Sequence, residues 1–501
     1  MSVPTGVHAS PCPSSRPPRL RAPLGGWRLA LLLALVVLPF GVMAQGPPPP
    51  LPDRPIEFPG FTEYVLANGL RVVVVSYGSQ PVMSARIYFR GGRSTEPAAL
   101  SGLTDLVTTV LTRGTEGRSA LDISEAIEGV GGSISAAAGA EFFSVAAVSL
   151  TDHRALAFEL LEDVVRRANF PQAEVDLAQR QILSSLQAQL GSPQSIADRR
   201  FHAVMYGETH PDGISPTPET VRAIGREDLV SFRDRVFRPN GAMLLVAGLV
   251  DPEEIRALAE THFGDWSGDP LPRPEVPEPE EQGATRIVLV HRPGSVQSVV
   301  AVGHLGIRWE NPDYFALQVL NRVLGGGADA RLFQILREER GWTYGAYSQF
   351  TRPVRRGHFV AQAEVRTEVT DSTVVEILTQ MRRLREESVP AEELEGAKSF
   401  LAGSFPLRLE TADQIAAQLS TTLLLGLPID EVTGYPERIR GITEADIRRV
   451  ATTYLHPDRA AVIVVGDGVA LLEKLEAIAP VELLDVEGNP LSREILRGDG
   501  G

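Results

Sequence analysis

The chain has 501 residues, 43% hydrophobic and 22% charged, which is ordinary for a globular protein but too long for one core, so two or three domains are expected. A formal charge of −15 disfavours nucleic acid and anionic membranes as partners. The only cysteine, Cys12, excludes an internal disulfide.

Arg16, Arg19, Arg21 and Arg28 form a basic region, which merges into the apolar run Leu29 to Phe40. Val42, Met43 and Ala44 then offer small residues for cleavage. This reads as a secretory signal over residues 1–44. An exported and periplasmic chain is expected after cleavage near Ala44, with contact to a membrane only through an uncleaved signal. Cleavage removes Cys12 and four arginines, leaving 44 basic against 63 acidic residues, a charge of −19 and no thiol nucleophile. Pro47 to Pro50 make residues 45–55 an exposed spacer.

From 56 to 266 strand-like and helix-like runs alternate without βαβ spacing. Strands are expected at Leu70–Val75, Val82–Phe89, Ser133–Ala138, Phe142–Ser149 and Ala242–Ala247, with Asn68-Gly69 as a hairpin turn. Helices are expected at Leu103–Leu111, Ile123–Val130, Ala155–Arg167, Val175–Leu190, Ser195–Tyr206 and Asp228–Val236. This pattern implies α+β layers. Residues 267–283 hold five prolines and four glutamates and read as a linker. The pattern then resumes over 284–482, and 483–501 form a tail. Ile224–Gly248 aligns without gaps to Ile442–Gly466, with identities at Ile224/Ile442, Asp228/Asp446, Pro239/Pro457, Ala242/Ala460, Val246/Val464 and Gly248/Gly466. A duplicated domain explains the match.

The stretch Leu324–Tyr347 organises the second domain. Gly325, Gly326 and Gly327 free the backbone for a tight turn or close approach. Leu332, Phe333, Ile335 and Leu336 give the following helix a buried face, Gly341 ends it, and Trp342–Tyr347 reads as a strand. The break can turn Arg337 and Tyr344 toward one point, where a guanidinium and a phenol could hold a peptide carbonyl or carboxylate.

This stretch, LGGG followed by RLF, LREE and TYGA, resembles the second-domain signature of the pitrilysin (insulinase) family of zinc peptidases, which includes the mitochondrial processing peptidases. The resemblance implies two homologous α+β domains, each a mostly antiparallel sheet packed with helices, together forming one half of a clamshell. It also implies that Arg337 and Tyr344 bind substrate. The family's first domain carries His-x-x-Glu-His on a helix, two zinc ligands flanking a general base, with a distant Glu as third ligand. The frame Gly102 to Thr115 is recognisable here, yet Asp105 and Thr109 fall at the histidine positions and Thr108 at the base. Ser184 or Ser185 stands where the distant Glu belongs.

No other residues restore that chemistry. His202 and His210 come nearest to a pair, but His202 reads as a helix-face residue and His210 as part of a turn. The glycines Gly91-Gly92 and Gly131-Gly132 lack a phosphate-binding frame, and no Gly-x-Ser-x-Gly elbow occurs. The expectation is therefore a chain inactive alone, with no catalytic residue and no metal of its own. It would complete the chamber of a zinc-bearing homologue in a heterodimer acting on unstructured peptides, with zinc only in the partner. Two other readings stay open: a stand-alone peptide-binding or assembly protein, and an independently active metallopeptidase.

Overall fold

Runs rich in valine form the centres of two six-stranded sheets. The first consists of β1 (Thr62–Val65), β2 (Arg71–Ser76), β3 (Val82–Arg90), β4 (Ser133–Ala138), β5 (Phe142–Leu150) and β6 (Met243–Gly248), in the spatial order β1-β2-β6-β3-β5-β4. The second consists of β7 (Arg286–His291), β8 (Gln297–Leu305), β9 (Thr343–Phe350), β10 (His358–Arg366), β11 (Ala461–Gly466) and β12 (Val481–Leu484), in the order β12-β7-β11-β8-β10-β9. Pairing is antiparallel except where β2 meets β6 and where β7 meets β11 and β12. The α+β class expected from the sequence is the class found. This computed structural model describes residues 58–272 and 274–496. The signal expected at 1–44 and the spacer at 45–55 lie outside the described residues.

Five strands of one sheet match five of the other in order, as a duplication requires. The sequence repeat coincides with helix Arg226–Val236 plus β6 in one copy and helix Glu444–Tyr454 plus β11 in the other. Both strands are buried along their whole length, which explains runs too apolar to alternate. The described residues of 267–283 contain neither helix nor strand, and ion pairs fasten part of the segment. Glu278 pairs with Arg308, and Glu281 pairs with both Arg356 and Arg459. The boundary expected at 482 is corrected by β12, which spans it. Leu483 and Leu484 continue the strand in register with Leu289 and Val290, so the sheet extends into the expected tail.

The two halves exchange a helix, and nothing in the sequence pattern announces it. Helix Pro193–Tyr206 belongs to the first half but lies on the second sheet, where Ile196, Ala197, Phe201 and Met205 meet Val299, Ala301, Ile463 and Val465. Its counterpart Ala412–Leu425 lies on the first sheet, where Ile415, Ala416 and Leu419 share a core with Val73, Val75, Tyr88, Met243 and Leu245. The strand period of two divides each sheet accordingly. Leu244 and Val246 point to the first half's own helices, while Met243 and Leu245 point to the borrowed one. Arg86 and Ser84 of β3 hold Asp413 at the start of the borrowed helix, with Arg86 at 3.1 Å and Ser84 at 3.3 Å.

One buried charge also stabilises the first half. Asp163, on helix Arg154–Arg167, accepts hydrogen bonds from Thr115 Oγ1 (2.8 Å), Arg118 Nη1 (2.7 Å) and Arg167 Nε (2.7 Å). Burial alone would raise its pKa, but these donors outweigh burial and hold it below the usual carboxylate range. Asp163→Asn is expected to cost about 3 kcal/mol in urea unfolding at pH 7, because two arginines lose their shared anion. A depressed carboxylate stabilises above its unfolded pKa and loses that contribution as pH falls through the folded value. The difference between wild type and variant should therefore shrink below about pH 4.

Candidate functional site

Helix Leu103–Val110 starts at Gly102, whose φ of +102° lies in the left-handed region that favours glycine. The Glu96 carboxylate accepts the Gly102 and Thr104 N–H groups at 3.1 and 2.9 Å, closing the helix end. Burial pushes the Glu96 pKa up despite those bonds. Leu103, Leu106, Val107 and Val110 face the core, which leaves Asp105 and Thr109 one turn apart on the outer side.

These groups are already occupied. Asp105 stands 3.5 Å from Arg93 Nε, Thr108 Oγ1 donates to the Thr104 carbonyl (2.7 Å), and Thr109 Oγ1 donates to the Asp105 carbonyl (2.8 Å). On the neighbouring helix Gln172–Leu190, Ser184 and Ser185 are exposed, and Gln189 donates to Ser185 Oγ at 3.3 Å. Zinc binds three or four carboxylate, imidazole or thiolate donors at close range. Neutral hydroxyls turned onto the backbone and one carboxylate beside a guanidinium do not fit it. Among the described residues no three His, Cys, Asp or Glu side chains converge to hold a metal.

Beside this helix runs β4, the end strand of its sheet. The bond from Gly139 N–H to the Phe142 carbonyl (2.8 Å) sets the phase of its ladder with β5. Antiparallel pairing alternates, so the backbone groups of Ile134, Ala136 and Ala138 point away from β5. Among the described residues nothing pairs with that side. The strand, Ser-Ile-Ser-Ala-Ala-Ala, also lacks the charges, prolines and bulges that usually blunt a sheet edge.

The outer side of β9 is different. Ser348 N–H donates to the Gly325 carbonyl (2.9 Å), and Asn321 Nδ2 donates to the Ser348 carbonyl (3.0 Å). A Cβ on Gly325 would stand 2.6 Å from Ser348 N, so the glycine lets backbone seal backbone. The end strand β12 is covered by its own tail, with Leu491 N–H donating to the Leu483 carbonyl at 2.9 Å.

Arg337 does not end a regular α-helix as the sequence implied. One α-turn, Arg331–Phe333, widens into a π-helix over Gln334–Glu339, with Arg337 inside it. Its guanidinium lies over the Phe333 ring at 4.8 Å, and Phe333 in turn contacts Tyr347 at 5.7 Å. Tyr344 stands on β9 with 87% of its surface exposed. The π-helix packs on β9, but among the described residues no hydrogen bond joins Arg337 to Tyr344.

His202 and His210 prove to be neighbours in space, together with a third histidine. His358 of β10 meets both His202 and Tyr206, and His210 stacks on Tyr206. The sequence reading missed His358 because 148 residues separate it from His210.

Comparison with known proteins places the chain in a family. Residues 71–214 match the description "Insulinase (Peptidase family M16)", and residues 223–401 match "Peptidase M16 inactive domain". The chain belongs to the pitrilysin (insulinase) family. An uncharacterized zinc protease of Mycobacterium leprae is 32% identical over 58% of the chain, and the match spans 65% of that relative, just under two thirds. One from Streptomyces coelicolor is 28% identical over 78% of the chain and 86% of the relative. Mouse mitochondrial-processing peptidase subunit beta is 24% identical, covering 80% and 83%. A crystal structure described as the peptidase M16 inactive domain from Pseudomonas fluorescens superposes with a TM-score of 0.76 at 25% identity, covering 81% of this chain and 98% of that one. This pitrilysin-family chain is thus a peptidase homologue.

Proposed function

We propose that the chain is a non-catalytic, peptide-binding subunit of an exported pitrilysin-family metallopeptidase, completing the chamber of a zinc-bearing partner. The observation carrying this is the altered helix face, with Asp105, Thr108 and Thr109 engaged elsewhere, beside a β4 edge left open. The edge can take an extended peptide by main-chain hydrogen bonds, a mode that tolerates many sequences. Arg337 and Tyr344 supply a cation and a phenol for a peptide carbonyl or carboxylate and for charge developing on an attacked carbonyl. The zinc and the base belong to the partner. Support for a partner comes from the mouse relative, named as a subunit, and support for export from the signal-like residues 1–44.

The test separates binding from cleavage. A labelled unstructured peptide should bind the purified chain, read as fluorescence anisotropy. Ala136→Pro should weaken binding about tenfold or more, because it removes an outward N–H and spares the ladder with β5. Equal affinity in the variant sinks the strand-edge reading. Chelator-sensitive cleavage by the chain alone sinks the non-catalytic one. Binding with no stimulation of a zinc-bearing homologue from the same organism points to a stand-alone binding protein instead.

A further inference from the structure

We propose that the contact between the exchanged helix Pro193–Tyr206 and the second sheet is an acid-released clasp, closed only while a buried group of imidazoles is uncharged.

The helix ends on the sheet in a cluster of rings. Tyr206 Oη and His358 Nδ1 lie 2.9 Å apart. The His358 ring meets Phe201 edge-on at 5.2 Å and His202 at 5.1 Å. His210, in the turn after the helix, stacks on Tyr206 at 5.3 Å, and its Nδ1 accepts the Asp212 N–H at 3.1 Å. Its Nε2 is buried without a hydrogen-bond partner.

The charges around these rings tie the halves together but leave no spare anion. Arg355, from the second half, donates to both oxygens of Asp212 (2.9 and 2.6 Å) and pairs with Glu141 on the hairpin between β4 and β5. Arg356 pairs with Glu281 and donates to the Gly306 carbonyl (3.2 Å). His202 Nδ1 lies 3.1 Å from the Asp212 carbonyl. Asp212, whose carboxylate is 3.8 Å from His210, is thus already shared with Arg355. A proton on His358 would face Phe201, Tyr206 and a second imidazole; one on His210 would share Asp212 with a guanidinium.

The sign follows from burial. Desolvation, reinforced by His202, pushes His358 down to about 3, and desolvation also lowers His210. In the released state both return toward the ordinary imidazole value of about 6.5. The released form then binds more protons, so acid favours release. Below about pH 6.5 His358 multiplies the open-to-closed ratio by up to about 10 for every unit of pH, and His210 acts in the same direction.

Hydrogen exchange on the full chain between pH 7.5 and 5, corrected for the intrinsic rate, reads this directly. Protection in Ile196–Tyr206 and His358–Ala361 should fall by about tenfold or more per pH unit below 6.5. Helix Leu103–Val110 should hold its protection over the same range. The double variant His210→Gln, His358→Gln keeps hydrogen-bonding groups without a titratable ring and should lose the slope. Tyr206→Phe removes only the hydroxyl, so it should lower protection at every pH and retain the slope. A flat wild-type profile, an unchanged slope in the double variant, a flat Tyr206→Phe profile, or parallel loosening of helix Leu103–Val110 would each overturn the clasp.

Discussion

Expressed alone, residues 58–266 should fail to give a folded, monomeric domain, whereas co-expression with 284–496 should restore a soluble complex. The reason is the exchanged helix. Without Ala412–Leu425 the first sheet exposes Val73, Val75, Tyr88, Met243 and Leu245 on one face. Burying each such side chain stabilises by roughly 1.5–3 kcal/mol, so their joint exposure rivals the roughly 5–15 kcal/mol that holds a whole domain together. The orphaned Pro193–Tyr206 would also display Ile196, Phe201 and Met205 to water. Size-exclusion chromatography and far-UV circular dichroism of the separate and co-expressed halves check this. A cooperative, monomeric first half would show that the exchange is dispensable.

If the proposed complex with a zinc-bearing partner forms, Arg337→Ala should reduce its peptide turnover by about 10- to 1000-fold, the range for removing one preorganised group that stabilises transition-state charge. The substitution is expected to leave the fold intact. Arg337 is half-exposed, its nearest carboxylate is Glu338 at 3.6 Å, and Phe333 beneath it stays buried. Arg337→Lys should recover only part of the rate, since an ammonium lacks the planar fork. Comparing kcat and KM locates the effect: loss confined to KM indicates binding alone, and loss in kcat indicates transition-state contact. Unchanged turnover would remove Arg337 from the site.

Local structure was largely legible in the sequence. Helix Leu103–Val110 and strands β3, β4 and β5 appear within about two residues of their expected ends, because apolar period and capping residues act over a few positions. The repeat fell in register since a duplication preserves spacing. Relations set by distant chain segments were not legible. That β4 is an open edge depends on sheet order, and that β9 is sealed depends on Gly325 reaching Ser348. The exchange of helices left no local trace, as either sheet offers the same kind of apolar face. The π-turn holding Arg337 was also invisible, for the side chains of Gln334–Glu339 suit an α-helix equally well.

The reciprocal loan of helices says something about how such a chain could arise. A half-length ancestor with one sheet and one lending helix could cover its own core only by embracing a second copy of itself, as a domain-swapped homodimer does. Joining two such genes through a linker would turn that encounter between molecules into a tethered one, with an effective concentration no longer set by expression. Each half of a tethered pair would then be free to drift on its own.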